Sequence, residues 1–182
     1  MRDFEDALCH RFESEHATAV SSGTAGLHLL GLALGWKGGD IVLTSPMTFL
    51  ASANCILYAG ATPDFVDVDP QTYTIDVEKL EAKLKEYDAA GSRVKAVVAV
   101  DYAGHPCHWQ QLRGLADKYG FQLVDDACHA IGAVYQNMPI GSSGYADATV
   151  FSFHPVKHIT TGEGGAVLTN RKDIYERKDS DN

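Results

Sequence analysis

Apolar positions along the chain alternate between short continuous runs and helical periods. Phe4, Leu8 and Phe12 recur every fourth residue and predict an opening helix. Thr18 to Val20 reads as a short strand that stops at Ser21-Ser22-Gly23. Leu27, Leu30 and Leu34 share one helical face, and Gly35 is a plausible stop. Ile41 to Leu43 predicts a buried strand, Thr48 to Tyr58 a helix after Pro46, and Thr62 to Val66 a strand before the turn Asp69-Pro70. Asp76 is placed to cap a helix whose buried face is Val77, Leu80 and Leu84. Val94 to Val100 reads as a fully buried strand. Leu112, Leu115, Ala116 and Tyr119 line a helix that Gly120 ends. Phe121 to Val124, Ala148 to Phe153 and Ala166 to Thr169 complete the strands.

Strands that are nearly continuous apolar runs, alternating with helices, predict an α/β fold with a mainly parallel sheet flanked by helices. In such sheets ligands bind beyond the carboxyl ends of the strands. That rule singles out Ser21 to Thr24, Asp125-Asp126 and the segment after Phe153. With 182 residues, 45% of them hydrophobic, a single domain over residues 1–182 with one sizeable core is expected. The tail Arg171 to Asn182 turns polar and carries no further apolar element, and the chain starts almost inside a helix. Both ends read as cut.

A net charge of -9 without a Lys/Arg block argues against nucleic acid and anionic membranes as partners. An anionic ligand would need backbone dipoles or a few placed cations. The acidic start, Met1 to Asp6, lacks the form of a signal peptide, and no stretch approaches the roughly 18 apolar residues of a membrane span. Cys9, Cys55, Cys107 and Cys128 form no C-x-x-C pair and read as reduced thiols. A cytoplasmic protein is expected.

Three segments carry candidate chemistry. Ser21-Ser22-Gly23-Thr24-Ala25-Gly26 joins a strand to a helix, where small residues let N–H groups approach a phosphate. The same residues would also serve as a simple capped turn. Asp126, in Val124-Asp125-Asp126-Ala127-Cys128-His129, is an acid at a buried strand end, which calls for a cation or several donors. A protonated pyridine nitrogen would answer; so would a helix N-cap or a structural ion pair. His129 follows by one helical turn if a helix starts there. Lys157 lies just past a strand, in the aromatic and Gly-rich run Phe151 to Gly165, where most lysines would simply be solvated. A Schiff-base lysine needs an amine that can lose its proton. His154 and His158 lie near it without an assignable role. Ser152 could reach a phosphate, and Gly162, Gly164 and Gly165 permit a tight backbone path. In this order the three suggest a site for pyridoxal 5'-phosphate (PLP).

The arrangement resembles the DegT/DnrJ/EryC1/StrS family of PLP-dependent sugar aminotransferases over about Phe4 to Asn170. The matching residues are Ser21 to Ala25, Pro46-Met47-Thr48-Phe49, Asp126 to Ala130 and Ser152 to Lys157. The resemblance implies the large domain of the fold-type I enzymes, with the C-terminal small domain absent. It implies that Gly23, Thr24, Ala25 and Ser152 hold the phosphate and that Phe49 stacks on the pyridine ring. It gives Asp126 the ring nitrogen, His129 the ring hydroxyl and Lys157 the covalent link and catalysis. The run Ser152 to Gly165, with Val100 to Gly104, is most similar to the branch that makes 4-amino-4,6-dideoxy sugars on UDP-N-acetylhexosamine, the pseudaminic acid type. His158 stands where that branch has proline.

The reaction so implied moves an amino group from an amino acid, glutamate, to a UDP-linked keto sugar in amino-sugar and cell-surface polysaccharide biosynthesis, by a homodimer. Two other readings stay open: a sugar dehydratase of the same family, which calls for histidine in place of Lys157, and an inactive truncated binding or dimerisation module. His105-Pro106-Cys107-His108 and Cys128-His129 match no standard zinc spacing, and no metal is expected.

Overall fold

The computed structural model describes residues 1–142 and 144–177, and the apolar runs and helical periods alternate in it as three layers. In chain order these are α1 (Arg2–Phe12), β1 (His16–Val20), α2 (Gly23–Ala33), β2 (Ile41–Thr44), α3 (Ala51–Tyr58) and β3 (Thr62–Phe65). Then follow α4 (Val77–Ala89), β4 (Val94–Val100), α5 (Trp109–Tyr119), β5 (Gln122–Asp126), β6 (Val134–Tyr135) and β7 (Met138–Pro139). The last are β8 (Ala148–Ser152), β9 (Gly165–Thr169) and α6 (Lys172–Arg177).

Seven strands form one sheet in the order β1-β9-β8-β5-β4-β2-β3. The run from β8 to β3 is parallel throughout: α3, α4 and α5 carry the chain back between β2, β3, β4 and β5, and the turns with the β6–β7 hairpin do so between β5 and β8. β9 is antiparallel to both neighbours. It follows β8 across a loop with no crossover helix, so it can only return. The sheet is therefore mixed at this edge and parallel elsewhere.

Successive residues of the inner strands feed opposite faces. Val97 and Leu123 pack with Leu80 of α4 and Leu112 of α5, beside Leu8 and Phe12 of α1. Val98 and Val124 pack with Leu27 and Leu30 of α2, Ile56 of α3 and Ile174 of α6. Burial on both faces is why Val94–Val100 contains no polar position but Lys95. Asp76 caps α4 as expected, accepting from the N–H groups of Glu78 and Lys79 at 3.0 and 3.1 Å.

Three local expectations need correction. The helix anticipated over Thr48 to Tyr58 begins at Ala51, so Thr48 and Phe49 lie on its entry loop. The tail does hold another apolar contribution: α6 buries Ile174, a single residue too isolated to give a readable period. The rest of that tail, residues 178–182, lies outside the described residues. The β6–β7 hairpin was not anticipated. Its turn places Gln136 and Asn137 at φ 49° and 66°, the left-handed pair that two-residue hairpins use.

Candidate cofactor cleft

β1, β2, β4, β5 and β8 all end on one edge of the sheet. A cavity of about 410 Å³ opens there. Asp126, the last residue of β5, lies on its wall and is buried. Its Oδ2 accepts from Ser52 Oγ at 2.5 Å, and its Oδ1 from the Cys128 N–H at 3.3 Å. Among the described residues, no ion pair reaches it. A buried carboxylate so placed suits a cation supplied from the cleft.

No helix follows Asp126. Two successive turns, closed by Ala130 N–H to Ala127 C=O and Ala133 N–H to Ala130 C=O at 2.8 and 2.9 Å, bring His129 onto the cavity wall instead. The His129 ring meets Tyr102 edge-on, with centroids 6.4 Å apart. Burial, and then the positive charge of Lys157, hold its imidazole below the ordinary histidine pKa, which favours the neutral form.

Ser22 caps α2, its Oγ accepting from the Ala25 N–H at 3.1 Å. The N–H groups of Gly23 and Thr24 have no acceptor within the helix and stand at its positive end, an arrangement that favours an anion. The turn is pressed hard against the sheet. A Cβ on Gly23 would lie 2.8 Å from Cys128 Sγ and 3.0 Å from Ser152 Cβ. One on Gly165 would lie 2.6 Å from the Ser22 carbonyl carbon. Ser152 Oγ accepts from the His154 N–H at 3.4 Å, which leaves its own proton to donate.

Ser152 and Gly165 are paired residues of β8 and β9, so the lysine loop is closed at its base by the sheet. Inside it, Phe153 N–H donates to Gly164 C=O at 2.8 Å and Lys157 N–H to His154 C=O at 2.9 Å. Thr160 Oγ1 and the Thr161 N–H both donate to Phe153 C=O at 3.0 Å. These bonds aim the Lys157 side chain at the cleft. Phe49, on the loop before α3, contributes to the wall and is 69% exposed.

Gly23, Thr24, Phe49, Asp126, His129, Ser152 and Lys157 thus meet at one cavity. Ala25 does not: its amide is taken by Ser22 Oγ, and it lies off the wall. Sequence reasoning missed Ser52 and Cys128. Ser52 had a signal, being a hydroxyl on the same helical face as the buried Cys55 and Ile56. His105 and Cys107 gather no metal site: Cys107 is buried with Sγ donating to Val100 C=O at 3.2 Å. Among the described residues no group of three or more His, Cys, Asp or Glu is placed to hold a metal.

A lysine on a sheet-anchored loop, a strand-end acid and a helix N-terminus around one cleft define a PLP fold-type I large domain, the architecture of the solved aminotransferases that this chain resembles. The chain belongs to the DegT/DnrJ/EryC1/StrS aminotransferase family, whose model matches residues 1–179. It is 43% identical over 175 residues to UDP-4-amino-4,6-dideoxy-N-acetyl-beta-L-altrosamine transaminase of Campylobacter jejuni, covering 96% of this chain and 45% of that protein. GDP-perosamine synthase of Escherichia coli O157:H7 is 40% identical over 177 residues, 97% of this chain and 46% of that one. The structure of Helicobacter pylori PseC, an aminotransferase involved in the biosynthesis of pseudoaminic acid, superposes with a TM-score of 0.89 at 37% identity. That superposition covers 98% of this chain and 46% of that one. The chain spans less than half the length of the curated relatives it matches.

Proposed function

We propose that the cleft holds PLP and that the protein containing this chain transfers an amino group from an amino acid, glutamate, to a UDP-linked keto sugar. The observation that carries this reading is the meeting of Lys157 and Asp126 on one cavity. The residues fit the cofactor by their chemistry. Asp126 is a buried acid without a cation, and the Gly23 turn is a cradle that a Cβ would fill. When bound, PLP supplies a carbonyl carbon that an amine can attack and a ring that withdraws electrons.

The chain's own groups then have distinct tasks. Gly23 and Thr24 N–H and Ser152 Oγ bind the phosphate, while Ala25, its amide taken by Ser22, holds the turn that presents them. Phe49 would cover one face of the ring. Asp126 holds the proton on the ring nitrogen, and neutral His129 faces the ring hydroxyl. Lys157 Nζ anchors the cofactor and, once displaced, takes the proton from the α-carbon of the amino donor. Amino-sugar synthesis for cell-surface polysaccharide, by a cytoplasmic homodimer, completes the proposal. Relatives named for transaminases of nucleotide sugars support it, as does Lys157 itself, since a dehydratase of this family calls for histidine there.

The test is spectroscopic and chemical. The full-length gene product with PLP is expected to show a visible absorbance band that Lys157→Ala abolishes, and to make an aminated sugar from a UDP-linked keto sugar and glutamate. An unchanged band in Lys157→Ala would sink the assignment. A deoxygenated product would favour the dehydratase. No band and no product from the full-length protein would favour a binding module.

A further inference from the structure

Asp126 is attached to the rest of the cleft by a short chain of hydroxyls that nothing in the reaction itself explains. Thr48 Oγ1 lies 2.6 Å from Ser52 Oγ, and Ser52 Oγ lies 2.5 Å from Asp126 Oδ2. Ser52 is fully buried on α3, and Asp126 is nearly so. The proton count gives the chain a direction. An ionised carboxylate can only accept, so the single Ser52 proton goes to Asp126. The Thr48 hydroxyl must then donate to Ser52, which is left with lone pairs alone. An O···O separation of 2.5 Å to a carboxylate is that of a charge-assisted hydrogen bond, about twice as strong as a neutral one.

The two ends of this chain sit at different parts of the cleft. Thr48 precedes Phe49, the ring-stacking residue, on the entry loop of α3, while Asp126 ends β5. Both Thr48 and Asp126 reach the cavity wall. The Ser52 bond occupies Oδ2, and the Cys128 N–H reaches Oδ1 only at 3.3 Å. Each oxygen thus has one donor and a further lone pair, and Oδ1, whose donor is the more distant, is the less engaged of the two.

We propose that Ser52, backed by Thr48, is a positioning residue for the cofactor: it fixes the Asp126 carboxylate so that one oxygen faces the ring nitrogen, and it ties that acid to the Phe49 loop. The role rests on the reading of the cleft as a PLP site. Ser52 does not touch the cofactor; it acts through Asp126. Without its hydroxyl, Asp126 keeps only the weak backbone and thiol donors of Cys128, is freer to rotate, and is less well held as the charged partner of a pyridinium.

The experiment uses the full-length gene product as wild type, Ser52→Ala, Thr48→Val and Thr48→Ser. PLP affinity is measured by absorbance titration, and the protonation of the ring nitrogen by NMR with ¹⁵N-labelled cofactor. Ser52→Ala is expected to bind PLP about tenfold more weakly, the scale of one lost hydrogen bond to a charged group, with its ¹⁵N signal moved toward the unprotonated position. Thr48→Val, nearly the same shape without the hydroxyl, is expected to move both readouts the same way by about threefold in affinity, while Thr48→Ser stays at wild type. Should Ser52→Ala fail to fold by circular dichroism, the Thr48 pair decides. Wild-type affinity and nitrogen signal in both Ser52→Ala and Thr48→Val overturn the positioning role alone. Absence of PLP binding by the wild-type protein overturns the cofactor reading together with it.

Discussion

Gly23 and Gly165 hold one turn from two sides, and they differ in what a methyl group would strike. At Gly23 the nearest atoms are side-chain atoms of Cys128 and Ser152, which can give way. At Gly165 they are backbone atoms of Ser22 and Gly23, at 2.6 to 2.8 Å, which cannot. Gly23→Ala is therefore expected to cost about 1–3 kcal/mol by denaturant unfolding, with part of the loss recovered by adding Cys128→Ala. Gly165→Ala is expected to cost more, above about 3 kcal/mol, and no change at Cys128 should rescue it. An equal loss for the two would mean that the turn is not pinned as described. At this scale most of the cleft was legible, because Lys157 and Asp126 are charged groups at or just past buried strand ends and Gly23 is a bare backbone position between a strand and a helix. Neither the Ser22 bond to the Ala25 amide nor the part played by Ser52 was legible, for a common reason. Which hydroxyl takes which amide or acid depends on distances across the fold, and those are absent from any local pattern.

The elements divide into those that only support the sheet and those that also build the cleft. α4 is of the first kind. Removing its cap with Asp76→Ala should lower stability by about 1 kcal/mol by thermal or denaturant melting, and leave PLP uptake unchanged. The junction of β4 and β5 carries a different cost. Asp101 is buried, its Oδ1 accepting from the Cys107 N–H at 2.8 Å and from Trp109 Nε1 at 3.2 Å, while its Oδ2 has no partner. Burial, with repulsion from Asp126, pushes its carboxyl up to about 7. Asp125, with an unpartnered Oδ1, is raised well above the ordinary carboxyl pKa by burial and by Asp101. Groups raised on folding hold more protons folded than unfolded, so the contribution of Asp101 is full below about pH 4 and is lost as pH rises through about 7, and that of Asp125 is lost in the same direction. Denaturation midpoints should therefore fall between pH 5 and pH 8. Asp101→Asn, which keeps the oxygen facing Cys107 and Trp109, should flatten much of that fall. A slope unchanged in Asp101→Asn would place its source elsewhere.

Over the whole molecule, the three layers and the parallel core followed from apolar runs such as Val94–Val100, which only a sheet covered on both faces requires. The antiparallel β9 did not follow, since a strand's direction depends on the connection before it and not on its own residues. Nor did α6, whose one buried contact, Ile174, has no neighbours in the sequence to announce it. Leu50, Leu57 and Tyr58, on α3 and the residue before it, are each more than half exposed. An apolar group of this kind suits a contact with another chain. If it lies in the proposed homodimer, Leu57→Glu should shift the full-length protein toward monomer in sedimentation velocity without loss of helical signal. A dimer unaffected by Leu57→Glu would put the contact on another face.

The pairing of Ser152 with Gly165 has an evolutionary consequence. Because the two ends of the lysine loop are fixed by neighbouring strands, the chain between them works as a cassette. Its side chains can drift or be exchanged while the frame beneath keeps its register. The restraint on such drift falls on Gly165, at the seam where the cassette joins the sheet.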